Sequence, residues 1–255
     1  MARDTDRDWQ KVAVDDPYWG VLSAEDFRSE RLTDEARAQF FRSGEQYVTH
    51  LLALVGRHFD PAFKPRRVLD FGCGVGRLAI PFARRATEEA VGVDIAPAML
   101  ELCRRNAADA GVANLKTVQA DEGLSAVEGR FSLVNSYIVL QHIEPSRGIT
   151  LIQRLLDLVE PGGYASLQLT YGKDRRFWPH ESPRARFYRR DGGTITDLLP
   201  TDDARPVGAI TMFDYDLNQV FAAATRVAAG PMLTIPTGDD GHLGVHLLLR
   251  KQNPC

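Results

Sequence analysis

The chain is poor in cysteine, with three in 255 residues. Cys73, Cys103 and Cys255 lack metal-ligand spacing, so neither a disulfide scaffold nor a zinc site organises the fold. Free thiols in a reducing compartment are expected, with the cytoplasm as the location. No apolar run approaches the roughly 20 residues of a membrane span. The opening MARDTDRDWQ is charged and has no apolar signal region, so no membrane association is expected. Basic excess is also missing. The net charge is −3, which argues against nucleic-acid partners, because those need a basic footprint. Repeats and low-complexity tracts are absent. What remains is ordinary for a soluble globular chain, 44% hydrophobic and 25% charged. Its length suits one large α/β domain, or one domain with a small cap.

Residues 1 to about 16 read as polar and frayed. From Ser23 to about Phe59 the pattern is helical, with Thr33-Asp34-Glu35-Ala36 as a start and Phe40, Phe41, Tyr47, Val48, Leu51, Leu52 and Val55 on one face. A linker at 60–65 ends this helical extension, assigned to 1–62, and the main domain is assigned to 63–255. Strands and helices then alternate. Strands are expected at Arg67–Phe71, Ala90–Asp94, Leu115–Ala120, Phe131–Ser136 and Tyr164–Leu169. Helices are expected at Gly76–Arg85, Pro97–Ala110 and Pro145–Val159. This β-α-β alternation implies a parallel sheet with helices on both faces. The period is lost over about 171–212, then helix returns at Asp214–Ala224. Two last strands are expected near Val227–Ile235 and Leu243–Arg250.

The most informative stretch is Val68 to Ala83, VLDFGCGVGRLAIPFA. A strand runs into Gly72-Cys73-Gly74-Val75-Gly76, and Arg77 opens a helix. Glycine is required where backbone turns tightly and comes close to a ligand, and the helix start aims N–H groups at whatever binds above the strand. A dinucleotide turn expects G-x-G-x-x-G, but Arg77 stands in the place of its third glycine. Asp70, two residues before Gly72, would repel a pyrophosphate and attract an ammonium or sulfonium ligand. D-x-G-x-G-x-G therefore favours a cationic nucleoside over NAD.

Through Asp70, Gly72, Gly74 and Gly76 the chain resembles the class I S-adenosylmethionine (SAM)-dependent methyltransferases, well over 66–170 and in outline over 214–250. The resemblance implies a Rossmann-like, doubly wound α/β fold. Its seven-stranded, mostly parallel sheet carries a terminal antiparallel strand, with an N-terminal helical extension and a cap inserted after strand five. It implies SAM as cofactor and S-adenosylhomocysteine as product. Asp70, Gly72, Cys73, Gly74, Gly76 and Arg77 then form the first cofactor motif. Asp94 accepts from the ribose hydroxyls, a device NAD enzymes share, or caps a helix. Ile95 and Met99 pack on the nucleoside or in the core. Asp121 accepts from the adenine amine, with Glu122 and Gly123 beside it. Ser136, Tyr137 and His142 follow strand four, where the family passes under the methionine part.

Methyl transfer from a positive sulfur asks chiefly for positioning, worth roughly 7–11 kcal/mol through proximity. A base matters for hydroxyl acceptors, and His142, Tyr171 and His180 are the candidates in that order, His142 serving as base or as a positioning group. The pre-strand aromatics Tyr18, Trp19 and Tyr47 either line the site or pack in the core. Arg175, Arg176, Arg186 and Arg189 in the insertion suit an anionic acceptor, saccharide-linked molecules being a further class, or else form a salt-bridged cap. The expected activity is methylation of an oxygen or nitrogen atom on a small molecule. The alternatives are a non-catalytic SAM-binding partner or regulator and, at the level of fold, an NAD-dependent dehydrogenase. No metal is expected.

Overall fold

The computed structural model describes residues 5–173, 187–191, 194–198, 212–239 and 242–253. Seven strands form the main sheet: β1 (Arg67–Phe71), β2 (Glu89–Asp94), β3 (Leu115–Gln119), β4 (Phe131–Ser136), β5 (Val159–Lys173), β8 (Leu233–Asp239) and β9 (His242–Arg250). Their order is β3-β2-β1-β4-β5-β9-β8. The first five are mutually parallel, while β9 runs antiparallel to both β5 and β8. This is the expected seven-stranded α/β sheet. Strands β6 (Phe187–Asp191) and β7 (Thr194–Leu198) form a separate antiparallel pair within the insertion.

Alternation along the strands explains why both faces are covered. Val68 and Leu69, Leu133 and Val134, and Leu248 and Leu249 send successive side chains into two different cores. One core receives Leu151, Ile152, Leu155 and Leu156 from α6 (Pro145–Leu158), and Val220 and Ala223 from α7 (Leu217–Thr225). The other receives Val48, Leu51 and Val55 from α3 (Asp34–His58), and Phe82 from α4 (Ala79–Arg85). Helix α5 (Pro97–Asp109) packs its Leu100 and Cys103 against Cys73 and Ala79.

Helix starts follow local chemistry. Thr33 accepts from the Ala36 N–H at 3.2 Å to cap α3. Glu144 accepts from the Ser146 and Arg147 N–H groups ahead of α6, whose first residue is Pro145.

Several expectations need correction. Residues 5–15 are not frayed but form helix α1 (Thr5–Asp15), burying Val12 and Ala13, followed by α2 (Pro17–Val21). The helical run from Ser23 divides into a 3-10 turn at Glu25–Phe27 and α3. Helix α4 starts at Ala79 rather than Gly76, because the glycine turn takes up the residues between. The strand expected at Val227–Ile235 lies at Leu233–Asp239, and Ala228 makes only an isolated bridge to Lys251. Strand β5 is far longer than its apolar core. Among the described residues, no helix is long and apolar enough to cross a membrane.

Candidate functional site

The glycine turn is pinned to the second strand. The N–H groups of Gly72 and Cys73 both donate to the Val93 carbonyl, at 2.7 and 3.0 Å. Gly72 has φ of +73°, and a Cβ there would lie 2.3 Å from a methyl of Val139. Gly74 has φ of +51°, and its N–H donates to Asp94 Oδ2 at 2.9 Å. Asp94 Oδ1 accepts from the Ala96 N–H at 2.9 Å. One carboxylate thus ties the turn to the start of α5. Burial pushes its carboxyl up, against the pull of the backbone N–H groups around it.

A cavity opens above this turn, at the carboxyl ends of β1, β2 and β4, where ligands bind in open α/β sheets. Gly72, Gly74, Asp94, Ile95, Met99, Asp121, Tyr137 and His142 line it. Asp121 stands at the rim, accepting from the N–H groups of Gly123 (3.0 Å) and Ser125 (2.8 Å) and from the Ser125 hydroxyl. These bonds hold its carboxyl below the usual range. Glu122 and Gly123 are exposed beyond the rim and do not line the cavity.

The remaining first-motif residues lie behind the cavity wall. Asp70 is 2% exposed and accepts from Asn135 Nδ2 at 2.8 Å. Asn135 Oδ1 accepts in turn from the Tyr47 hydroxyl (3.0 Å) and the Ser166 hydroxyl (2.9 Å). Because Ser166 has given its proton to Asn135, its 2.8 Å contact with His246 Nε2 is an imidazole N–H donated to oxygen. Burial pushes His246 down to about 4 and Asp70 up to about 7. Arg77, itself buried, pulls Asp70 the other way without overcoming the burial. Its Nη1 donates to Ser43 Oγ at 3.4 Å, while its Nε and Ser136 Oγ are buried with no hydrogen-bond partner among the described residues. Cys73 is buried with Cys103. Asp70, Cys73, Gly76, Arg77 and Ser136 therefore support the cavity from behind rather than line it.

The substrate assignments fare differently. Tyr18 is a core residue, packed on Phe40 and Phe41, with its hydroxyl donating to Asn106 Oδ1 at 3.1 Å. Trp19 carries the Arg28 guanidinium 3.6 Å over its ring. Tyr47 packs tilted against Tyr137, with ring centroids 4.2 Å apart, and its hydroxyl belongs to the buried network. None of the three lines the cavity. Tyr171 is 37% exposed near the outer end of β5. His180, Arg175, Arg176 and Arg186 lie outside the described residues, and Arg189 falls on β6 opposite Thr196.

Sequence reasoning missed the roof. Thr5, Asp6 and Trp9 of α1 and Val21 of α2 line the cavity. The Trp9 ring meets the His142 ring edge-on at 4.8 Å, and both Asp6 oxygens accept from Arg147 Nη1 at 2.7 and 2.8 Å. The available signal was the helical spacing of Trp9, Val12 and Ala13.

A wider cleft of about 770 Å³ lies elsewhere, beside the end of α6. Two of the cations that line it, Lys251 and Arg130, are engaged in closing that helix. Lys251 donates to the carbonyls of Leu156, Asp157 and Val159, and Arg130 to those of Asp157 and Val159.

Residues 68–163 match the family model described as a methyltransferase domain. Among similar proteins, a ubiquinone biosynthesis O-methyltransferase from Methylocella silvestris is 33% identical over 127 residues, covering 46% of this chain and 48% of that one. The aklanonic acid methyltransferase DauC from a Streptomyces species is 30% identical, covering 51% and 59%. The chain thus spans about half the length of these relatives. Among solved structures, the magnesium protoporphyrin IX methyltransferase of Synechocystis with bound SAM aligns over 99% of both chains, with TM-score 0.61 and 16% identity. The N-methyltransferase NodS of Bradyrhizobium japonicum, solved with S-adenosylhomocysteine, covers 97% of this chain and 100% of its own, with TM-score 0.57 and 13% identity. These likenesses identify the fold.

Proposed function

We propose that this chain, a class I SAM-dependent methyltransferase in fold and in the sequence of its cofactor segment, transfers a methyl group from SAM to a small-molecule acceptor. The single observation that carries the reading is Asp94, held by the Gly74 and Ala96 N–H groups at the cavity floor, with glycine backbone on one side and Met99 on the other.

The residues present fit a nucleoside cofactor. Asp94 and Asp121 offer carboxylate acceptors for sugar hydroxyls and an exocyclic amine. Ile95 and Met99 offer apolar surface, and Gly72 and Gly74 let backbone approach closely. Buried Asp70 lies beneath a site for a positive ligand. When bound, SAM supplies an electrophilic methyl group on a positive sulfur. What the chain adds is orientation and exclusion of water. Helix α1 roofs the cavity through Trp9, and Tyr137 and His142 wall it below.

The names of the relatives favour an oxygen acceptor over nitrogen. Arg175, Arg176, Arg186 and Arg189 are proposed to recognise an anionic or glycosylated acceptor. Pairs of acceptors with and without a carboxylate check this, and equal turnover of both would remove the anionic class.

Calorimetric titration with SAM, S-adenosylhomocysteine and NAD tests the cofactor. Both sulfur compounds should bind and NAD should not. Asp94→Ala should weaken binding about 10–100-fold, because it removes charged acceptors and frees the turn. Silence with both sulfur compounds in the unmutated chain would overturn the reading.

A further inference from the structure

Two non-glycine residues among those described have left-handed backbone, Leu124 and Ile138, and only Ile138 is β-branched. Its φ of +61° is strained for such a side chain. The strain lies in the cavity wall, between Tyr137 and Val139. It persists because something holds it, and the holder is Gln168 on β5, 6% exposed, whose Oε1 accepts from the Ile138 N–H at 2.9 Å.

That bond has consequences further along. A backbone N–H only donates, so the oxygen of Gln168 must face Ile138. The amide nitrogen of Gln168 then faces Gln141 and donates to its Oε1 at 3.4 Å. Gln141 is left with its own nitrogen towards His142, 3.5 Å from Nε2. An amide nitrogen only donates as well, so the imidazole nitrogen it meets must accept. The one unambiguous donor at Ile138 thus orders each group after it.

We propose that Gln168 is a positioning residue of the transfer site: it holds the Ile138 peptide and, through Gln141, keeps the neutral imidazole of His142 with Nε2 as acceptor and its proton on Nδ1. The relevance to turnover rests on the methyltransferase reading above, whereas the tautomer is a property of the chain itself. His142 has its Nε2 lone pair turned to the Gln141 amide. Its part in the site is then to orient, with Nδ1–H as its donor.

The test is long-range ¹H–¹⁵N correlation on the full chain labelled at histidine, the His142 signals being assigned through His142→Gln. The unmutated chain should show the Nδ1–H tautomer. Gln168→Glu keeps an oxygen on Ile138 but presents only acceptors to Gln141. The Gln141 amide should then reverse, and the His142 proton should move to Nε2. A residue that merely fills space would not shift the tautomer in either direction. An Nε2–H signal in the unmutated chain, or an unchanged tautomer in a folded Gln168→Glu, overturns the proposal. Should that variant fail to fold, the first spectrum alone decides. S-adenosylhomocysteine titration of the unmutated chain runs beside it, and its failure would strike the methyltransferase reading without touching the tautomer result.

Discussion

Asp70 is enclosed by protein and given one strong hydrogen bond, from Asn135. Its carboxyl titrates near 3.8 when exposed and near 7 in the fold, burial being the largest cause. The folded chain therefore keeps a proton that the unfolded chain releases as pH climbs from about 4 to about 7. Stability falls with rising pH through that window and falls no further from this source above it. The gap between the two values corresponds to at most about 4 kcal/mol. Asp94, also pushed up by burial, adds a loss of the same sign. Asp70→Asn keeps an oxygen for Asn135 and carries no charge. Urea unfolding at pH 5 and pH 8 should show the variant more stable than its parent at pH 8 and nearly equal at pH 5. An unchanged pH profile would mean that Asp70 is ionised in the fold. The identity of Asp70 was legible from its place before Gly72. Its partner was not, since Asn135 lies far away in sequence and meets it only through strand register, as Ser166 in turn meets Asn135.

At the level of elements, α3 and α1 reach the site in different ways. Helix α3 crosses the glycine turn at Gly44, where a Cβ would lie 2.0 Å from the Arg77 carbonyl oxygen. Alanine is ordinarily worth about 1 kcal/mol over glycine in a helix interior. Here Gly44→Ala should instead destabilise by about 2–3 kcal/mol, because backbone cannot retreat as a side chain can. Thermal unfolding measures this, and a raised midpoint would show that α3 does not seat on the turn. Helix α1 is held by Trp9 on His142 and by the Asp6–Arg147 pair, whose side chains keep about a third of their exposure. Such a pair is worth about 1 kcal/mol at most, so the Trp9 contact and the burial of Val12 and Ala13 dominate. Trp9→Ala should speed amide exchange across residues 5–15 while leaving β1 and β4 protected. Equal protection of α1 in both proteins would contradict this. A polar opening sequence hid the helix, because only a few of its residues face the fold and the rest read as loop.

For the whole molecule, the roof and the floor of the cavity come from separate stretches of the chain, α1 above and the β1–β2–β4 strand ends below. A ligand held between them should stabilise the entire sheet. At 100 times its dissociation constant a cofactor adds about 2.7 kcal/mol to unfolding, which at about 2–4 °C per kcal/mol corresponds to a rise of about 5–11 °C in Tm for a chain of this size. Differential scanning calorimetry with S-adenosylhomocysteine should show that rise, and Asp94→Ala should abolish most of it. The order of elements, the parallel sheet and the Asp70–Gly76 turn were determined along the chain itself. Strand periodicity, helix caps and glycine act between near neighbours, so they can be read from near neighbours. The tertiary structure alone decided that α1 closes on His142, that Tyr18 is core and that Gln168 reaches Ile138. Those contacts depend on which strands lie side by side and in what register, and separations of tens of residues leave no local pattern to carry that information.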